Sequence, residues 1–133
     1  MANTTFSGPV RSENGFDFIT KNATTGAITT NASYDKGITG GVQQLSGAGA
    51  VDVVNLVTEI TTTGADALTL ANGTVGQIKI ITMVVDGGDG TLTPTTFANG
   101  STITFNDAND TVALLYANTI GWVIISNSGA TVA

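Results

Sequence analysis

Across its C-terminal two-thirds the chain alternates apolar and polar side chains over runs of four to nine residues. Each run is cut short by a Gly- or Asn-rich turn. A period of two places successive side chains on opposite faces of an extended strand, whereas a helix needs a period near 3.6. The runs at 102–105, 111–117 and 121–126 show it plainly. Ile103 and Phe105 share one face, as do Val112, Leu114 and Tyr116, and then Trp122 and Ile124. Turns recur every 8–12 residues or so, the cadence of a sandwich or jelly roll. The pattern predicts an all-β protein: an antiparallel β-sandwich or jelly-roll-like domain over 51–133, with 1–50 as an extended N-terminal arm or a set of edge strands. In that first segment apolar residues come only in small clusters, and the alternative that it completes the sheets of the main domain stays open.

Several elements can be placed individually. Phe16–Thr20 and Gly26–Thr30 read as short strands around a Thr24-Thr25-Gly26 turn, and Gly40-Gly41 and 46–49 read as hinges. Val51–Ile60 is long enough for one strand, its β-branched density outweighing a possible helical period. Ala67–Leu70 precedes Asn72-Gly73, a hairpin signal. Gln77–Val85 is apolar on both faces after Lys79, which predicts a central strand covered on both sides. Pro94 has no amide hydrogen for a ladder, so 91–97 is expected at an edge or an irregular crossing.

Composition narrows the chemistry. The 133 residues include no His and no Cys, which removes the side chains most used for acid–base, nucleophilic and transition-metal chemistry near neutral pH. Charged residues make up 11% of the chain, against about 25% in ordinary domains. Polarity comes instead from hydroxyls and amides, with 24 threonines, and these can be buried against another protein at lower cost than Lys or Glu. The net charge is −6, and the four cations Arg11, Lys21, Lys36 and Lys79 are scattered. They form no phosphate-tracking groove, so nucleic acid is not an expected partner. No apolar run approaches the ~20 residues of a membrane-spanning helix, and the N-terminus lacks the basic and apolar regions of a signal peptide. The chain is expected to be non-catalytic, to bind no cofactor or membrane, and to stay in the compartment where it is made.

Two acidic turns are the sharpest local features. Asp86-Gly87-Gly88-Asp89-Gly90 carries two carboxylates that are weak Ca²⁺ candidates, Asp86 and Asp89, without the ligand spacing of an EF-hand. As a plain loop it needs no metal, because Gly supplies positive φ and Asp bonds its own backbone. Asn106-Asp107-Ala108-Asn109-Asp110 is a second such turn, relevant to binding only where it meets the first in space. Paired carboxylates can cleave glycosides, but one Trp and two Tyr are few to line a sugar cleft. Trp122 reads as a core plug before a ligand platform.

Certain phrases are similar to known proteins. Thr61-Thr62-Thr63-Gly64-Ala65-Asp66-Ala67-Leu68-Thr69-Leu70, the segment Gly76–Gly90 and the ending Gly121-Trp122-Val123-Ile124-Ile125-Ser126-Asn127 resemble small virion structural proteins of marine tailed bacteriophages. The opening Thr5-Phe6-Ser7-Gly8-Pro9-Val10-Arg11-Ser12 is similar to the start of small proteins encoded among phage head genes. The resemblance implies a capsid decoration or head-fibre protein, commonly trimeric. Such a protein is made in the host cytoplasm and bound to the major capsid protein on the outer surface of the virion. Their placing in an otherwise polar arm makes Phe6, Val10, Phe16 and Phe18 the expected capsid anchors, with Arg11 pairing to a capsid carboxylate. A tail- or head-fibre module that binds host-surface carbohydrate through 86–91 and 106–110 is the alternative.

Overall fold

A computed structural model describes residues 16–34 and 38–133. The described residues contain strands and turns and no helix, so the all-β expectation holds. The chain divides into two units, the second beginning at Gly41.

The first unit holds a three-stranded antiparallel sheet of β1 (Phe16–Lys21), β2 (Ile28–Tyr34) and β3 (Ile38–Gly40), in that order. The β1–β2 turn is local chemistry. Asn22 Oδ1 accepts hydrogen bonds from the amides of Thr24 at 2.9 Å and Thr25 at 3.0 Å, and Gly26 takes φ +74°. Glycine, without a Cβ, adopts that conformation at no steric cost.

The second unit is a sandwich of two five-stranded sheets. One runs β12 (Gly121–Ser128), β11 (Thr111–Ala117), β8 (Ile78–Val85), β6 (Val57–Thr61), β4 (Val42–Ser46). The other runs β13 (Thr131–Val132), β10 (Ile103–Phe105), β9 (Gly90–Pro94), β7 (Asp66–Leu70), β5 (Gly49–Val51). From β4 to β9 the chain switches sheet at every strand. β4, β6 and β8 are therefore parallel neighbours in one sheet, and β5, β7 and β9 in the other. This is three coils of a roll, closed on one side by the antiparallel strands β10 to β13. The sheets are mixed rather than wholly antiparallel.

Stacked coils place equivalent side chains above one another. Leu45, Ile60 and Met83 form one inward column, and Gly49, Leu68 and Leu92 another. Ile60, Leu68, Met83, Leu92, Ile103, Phe105 and Trp122 are wholly buried, each removing apolar surface worth roughly 1.5–3 kcal/mol from water.

Residues 42–50, read from sequence as part of an arm or a set of edge strands, lie in β4 and β5, the edge strands of the two sheets. Other expectations change. Val51–Ile60 is two strand ends around a loop, because Asp52 Oδ1 accepts from the amides of Val54 (2.9 Å) and Asn55 (2.8 Å) and turns the chain between sheets. Asn72-Gly73 likewise lies on a sheet-to-sheet crossing rather than in a hairpin, since β7 and β8 belong to different sheets. Strand β9 is central, not an edge; Pro94 is tolerated as its last residue, and the next amide, Thr95, donates to Leu70 O at 2.8 Å. Strand β8 is central as expected, but only the Lys79, Ile81, Met83 face is buried.

Candidate functional site

The candidate sites are the acidic end of the sandwich, the buried lysine at its opposite end with the hollow near it, the exposed sheet surfaces, and the exposed ribbon of the first unit.

Pairing of Gly90 with Phe105 brings both acidic turns to the same end. The carboxylates of Asp86 and Asp110 shape the backbone. Asp86 Oδ1 accepts from Gly88 N at 2.9 Å, and Asp110 Oδ2 from the amides of Asn106 at 2.9 Å and Asp107 at 3.1 Å. Asp66 Oδ2 accepts from Thr63 N at 2.8 Å, while Asp89 O accepts from Asp66 N at 2.9 Å. Among the described residues no group of three or more acidic, His or Cys side chains is arranged to hold a metal, and Asp86 and Asp89 form no such group.

At the other end, Lys79 points inward and is 0% exposed, while Asp52 is 30% exposed. Lys79 Nζ donates to Asn55 O at 2.7 Å and stands 3.7 Å from Asp52 Oδ1. Asn55 Nδ2 donates to the other Asp52 oxygen at 2.7 Å. Burial lowers the Lys79 pKa from its ordinary value, and the Asp52 charge opposes that shift. For Asp52, burial pushes upward, but the Asn55 backbone and side-chain bonds, the Lys79 charge and the Val54 amide outweigh it and hold the carboxyl below its usual value. This pair clamps the 52–56 loop onto β8. The sequence signal for it was Asp52 three residues before Asn55, an Asx-turn spacing.

Trp122 sits nearby as the core plug expected of it. It is wholly buried, its Nε1 donates to Ala71 O at 2.9 Å, and its ring meets Tyr116 edge-on at 5.1 Å. A hollow of about 430 Å³ beside it is lined by Val53 and residues 72–77, with no titratable side chain.

The surfaces differ sharply from one another. On the β5-side sheet, the outward residues form two rows, Ala50–Thr69–Thr93 and Ala67–Thr91–Thr104–Thr131, with methyls and hydroxyls only. On the β4-side sheet the corresponding rows are aliphatic: Val42–Val57–Ile80–Ala113 and Ile78–Leu115–Val123. A third row, Gln44–Glu59–Thr82–Thr111, is polar and internally bonded. Gln44 Nε2 donates to Glu59, and the two Thr hydroxyls are 2.8 Å apart.

In the first unit every described side chain from 19 to 30 is exposed, including Ile19 at 51% and Ile28 at 62%. Strand β1 is an edge of its sheet. Of the expected anchors, Phe6, Val10 and Arg11 lie outside the described residues. So do the side chains of Phe16 and Phe18, whose backbones begin β1 opposite Tyr34 and Ala32.

No protein-family model and no curated protein matches the chain. No helix among the described residues is long and apolar enough to cross a membrane.

Proposed function

We propose that the protein is a non-catalytic structural component of a tailed-bacteriophage virion, binding the major capsid protein on the outer surface of the head as a homotrimer. The observation that carries this reading is the β1–β2 ribbon. Its described side chains from 19 to 30 are all exposed, aliphatic ones included. A small antiparallel ribbon whose described side chains are exposed is marginally stable in water by itself, so such a segment gains most of its order from contact. An edge strand adds readily to a sheet edge of another protein, where main-chain hydrogen bonds supply affinity without charge. Three ribbons on one trimer make weak single contacts collectively strong through effective concentration. Phe6, Val10, Phe16 and Phe18 are the proposed apolar anchors and Arg11 the proposed ionic one.

The test is co-sedimentation with purified heads. Deleting residues 2–20, or introducing Ile19→Asp together with Ile28→Asp, is expected to weaken head binding at least tenfold. Binding that survives both changes refutes the ribbon as the contact. The alternative of a carbohydrate-binding fibre module is favoured by one observation, the convergence of the 86–90 and 106–110 turns at one end. Copy number per particle separates the two readings, hundreds for decoration against a handful for a tail fibre.

A further inference from the structure

We infer that the outer face of the β12-β11-β8-β6-β4 sheet is the surface through which copies of this chain associate, with Val57, Ile80 and Leu115 at its centre. The inference rests on the assembly reading above and names the face that self-association uses.

The contrast between the two sheets is the starting point. Both expose one face, and both are built from the same alternating strands, yet the outward rows of one are Thr and Ala throughout, whereas two of the three outward rows of the other are aliphatic and only the third is polar. β-propensity does not account for this, because Thr, Val and Ile all suit strands. What separates them is the cost of leaving aliphatic surface in water, about 25 cal/mol for each Å². Contiguous apolar patches of that kind mark surfaces that are covered in use. Val42 on the edge strand is 49% exposed, and the bulged residues Val84 and Ile125 add exposed aliphatic groups on the same sheet.

Charge and size point to a second copy as the occupant. The three rows carry one acidic side chain, Glu59, already engaged by Gln44, so nothing on the face selects a charged partner. An aliphatic patch with a bordering polar row suits association between copies of one chain, whether two such faces meet or three turn toward a common axis. Five strands at about 4.8 Å spacing and roughly six residues at about 3.3 Å give a footprint near 500 Å². Two such faces bury about 1,000 Å², the threshold for a specific interface, and corrugation of the side chains raises the figure. Self-association interfaces also have the more apolar composition seen here.

The experiment is light scattering on the full chain at micromolar concentration, with Trp122 fluorescence melts to confirm folding. Wild type is expected at a multiple of the chain mass. Ile80→Lys and, on the edge strand, Val42→Lys are expected to run as single chains, whereas Thr93→Lys on the opposite sheet keeps the wild-type mass. A wild type that is a single chain overturns the inference, as does retention of the multiple by both folded variants. Head co-sedimentation keeps the two proposals apart. An oligomer that ignores heads refutes the capsid reading and leaves this face standing; a single chain that binds heads does the reverse.

Discussion

Replacing Asp52 by Ala is expected to cost more than replacing Lys79 by Met, although the two side chains face each other. Lys79 Nζ is 0% exposed and has two oxygen neighbours, Asn55 O at 2.7 Å and Asp52 Oδ1 at 3.7 Å. At 3.7 Å and an effective dielectric near 20, the Coulomb attraction is about 4 kcal/mol. Partial solvation of Asp52 reduces this to about 2 kcal/mol net. Asp52 also accepts from Val54 N, Asn55 N and Asn55 Nδ2, a set of loop bonds worth roughly 2 kcal/mol together. Asp52→Ala therefore loses about 4 kcal/mol, because it strands a buried ammonium and releases the loop. Lys79→Met leaves a carboxylate that water can reach and relieves the desolvation of the amine, so its cost is about 1 kcal/mol, chiefly the Asn55 carbonyl left without its donor. The double variant is expected near 2 kcal/mol, giving a coupling of about 3 kcal/mol. Urea denaturation followed by the emission of Trp122, the single tryptophan, measures all three. Equal costs for the two single variants, or strict additivity, would refute the stranded-charge argument.

Three further outcomes follow from the same geometry. The Asp52 carboxyl lies below its ordinary value of 3.8 in the folded chain. Its contribution is therefore complete above that value and lost as pH falls through the depressed one; acid titration of stability should show this limb in wild type and lose it in Asp52→Asn. Lys79 is depressed from 10.5, so the unfolded chain holds that proton more tightly and stability rises with pH approaching 10.5, a rise absent from Lys79→Met. Gly88 has φ +141°, and a Cβ there would stand 2.7 Å from the Gly64 carbonyl carbon. Gly88→Ala is expected to cost at least about 2 kcal/mol by urea denaturation, and an unchanged midpoint would show that the acidic turn is not held against the 62–64 backbone.

Much of this architecture was legible from residue order. Ile103 and Phe105, Val112 and Leu114, and Trp122 all lie on the faces that alternation assigned them, because the pleat forces neighbouring side chains apart whatever lies beyond the strand. The turn at 24–26 was legible for a similar reason, its hydrogen bonds being local: Asn22 reaches only amides two and three residues on. The coils were not. Val42, Val57 and Ile80 are equivalent positions, yet they stand fifteen and then twenty-three residues apart, so no fixed period exists to be found. Parallel and antiparallel ladders share the same two-residue alternation, and only the sheet switch at each crossing decides between them. Lys79 illustrates the limit most sharply. Its charge argued for solvent, and its strand phase argued for the core. Tertiary structure resolved the conflict by bringing Asn55 and Asp52, twenty-four and twenty-seven residues away, within reach of the ammonium. Which outer face would carry aliphatic residues was already written in the strands, but that they form one continuous surface depends on pairings between distant segments. Alternation is a local steric fact carried by each strand alone; adjacency is a many-body outcome, settled only when the whole core closes.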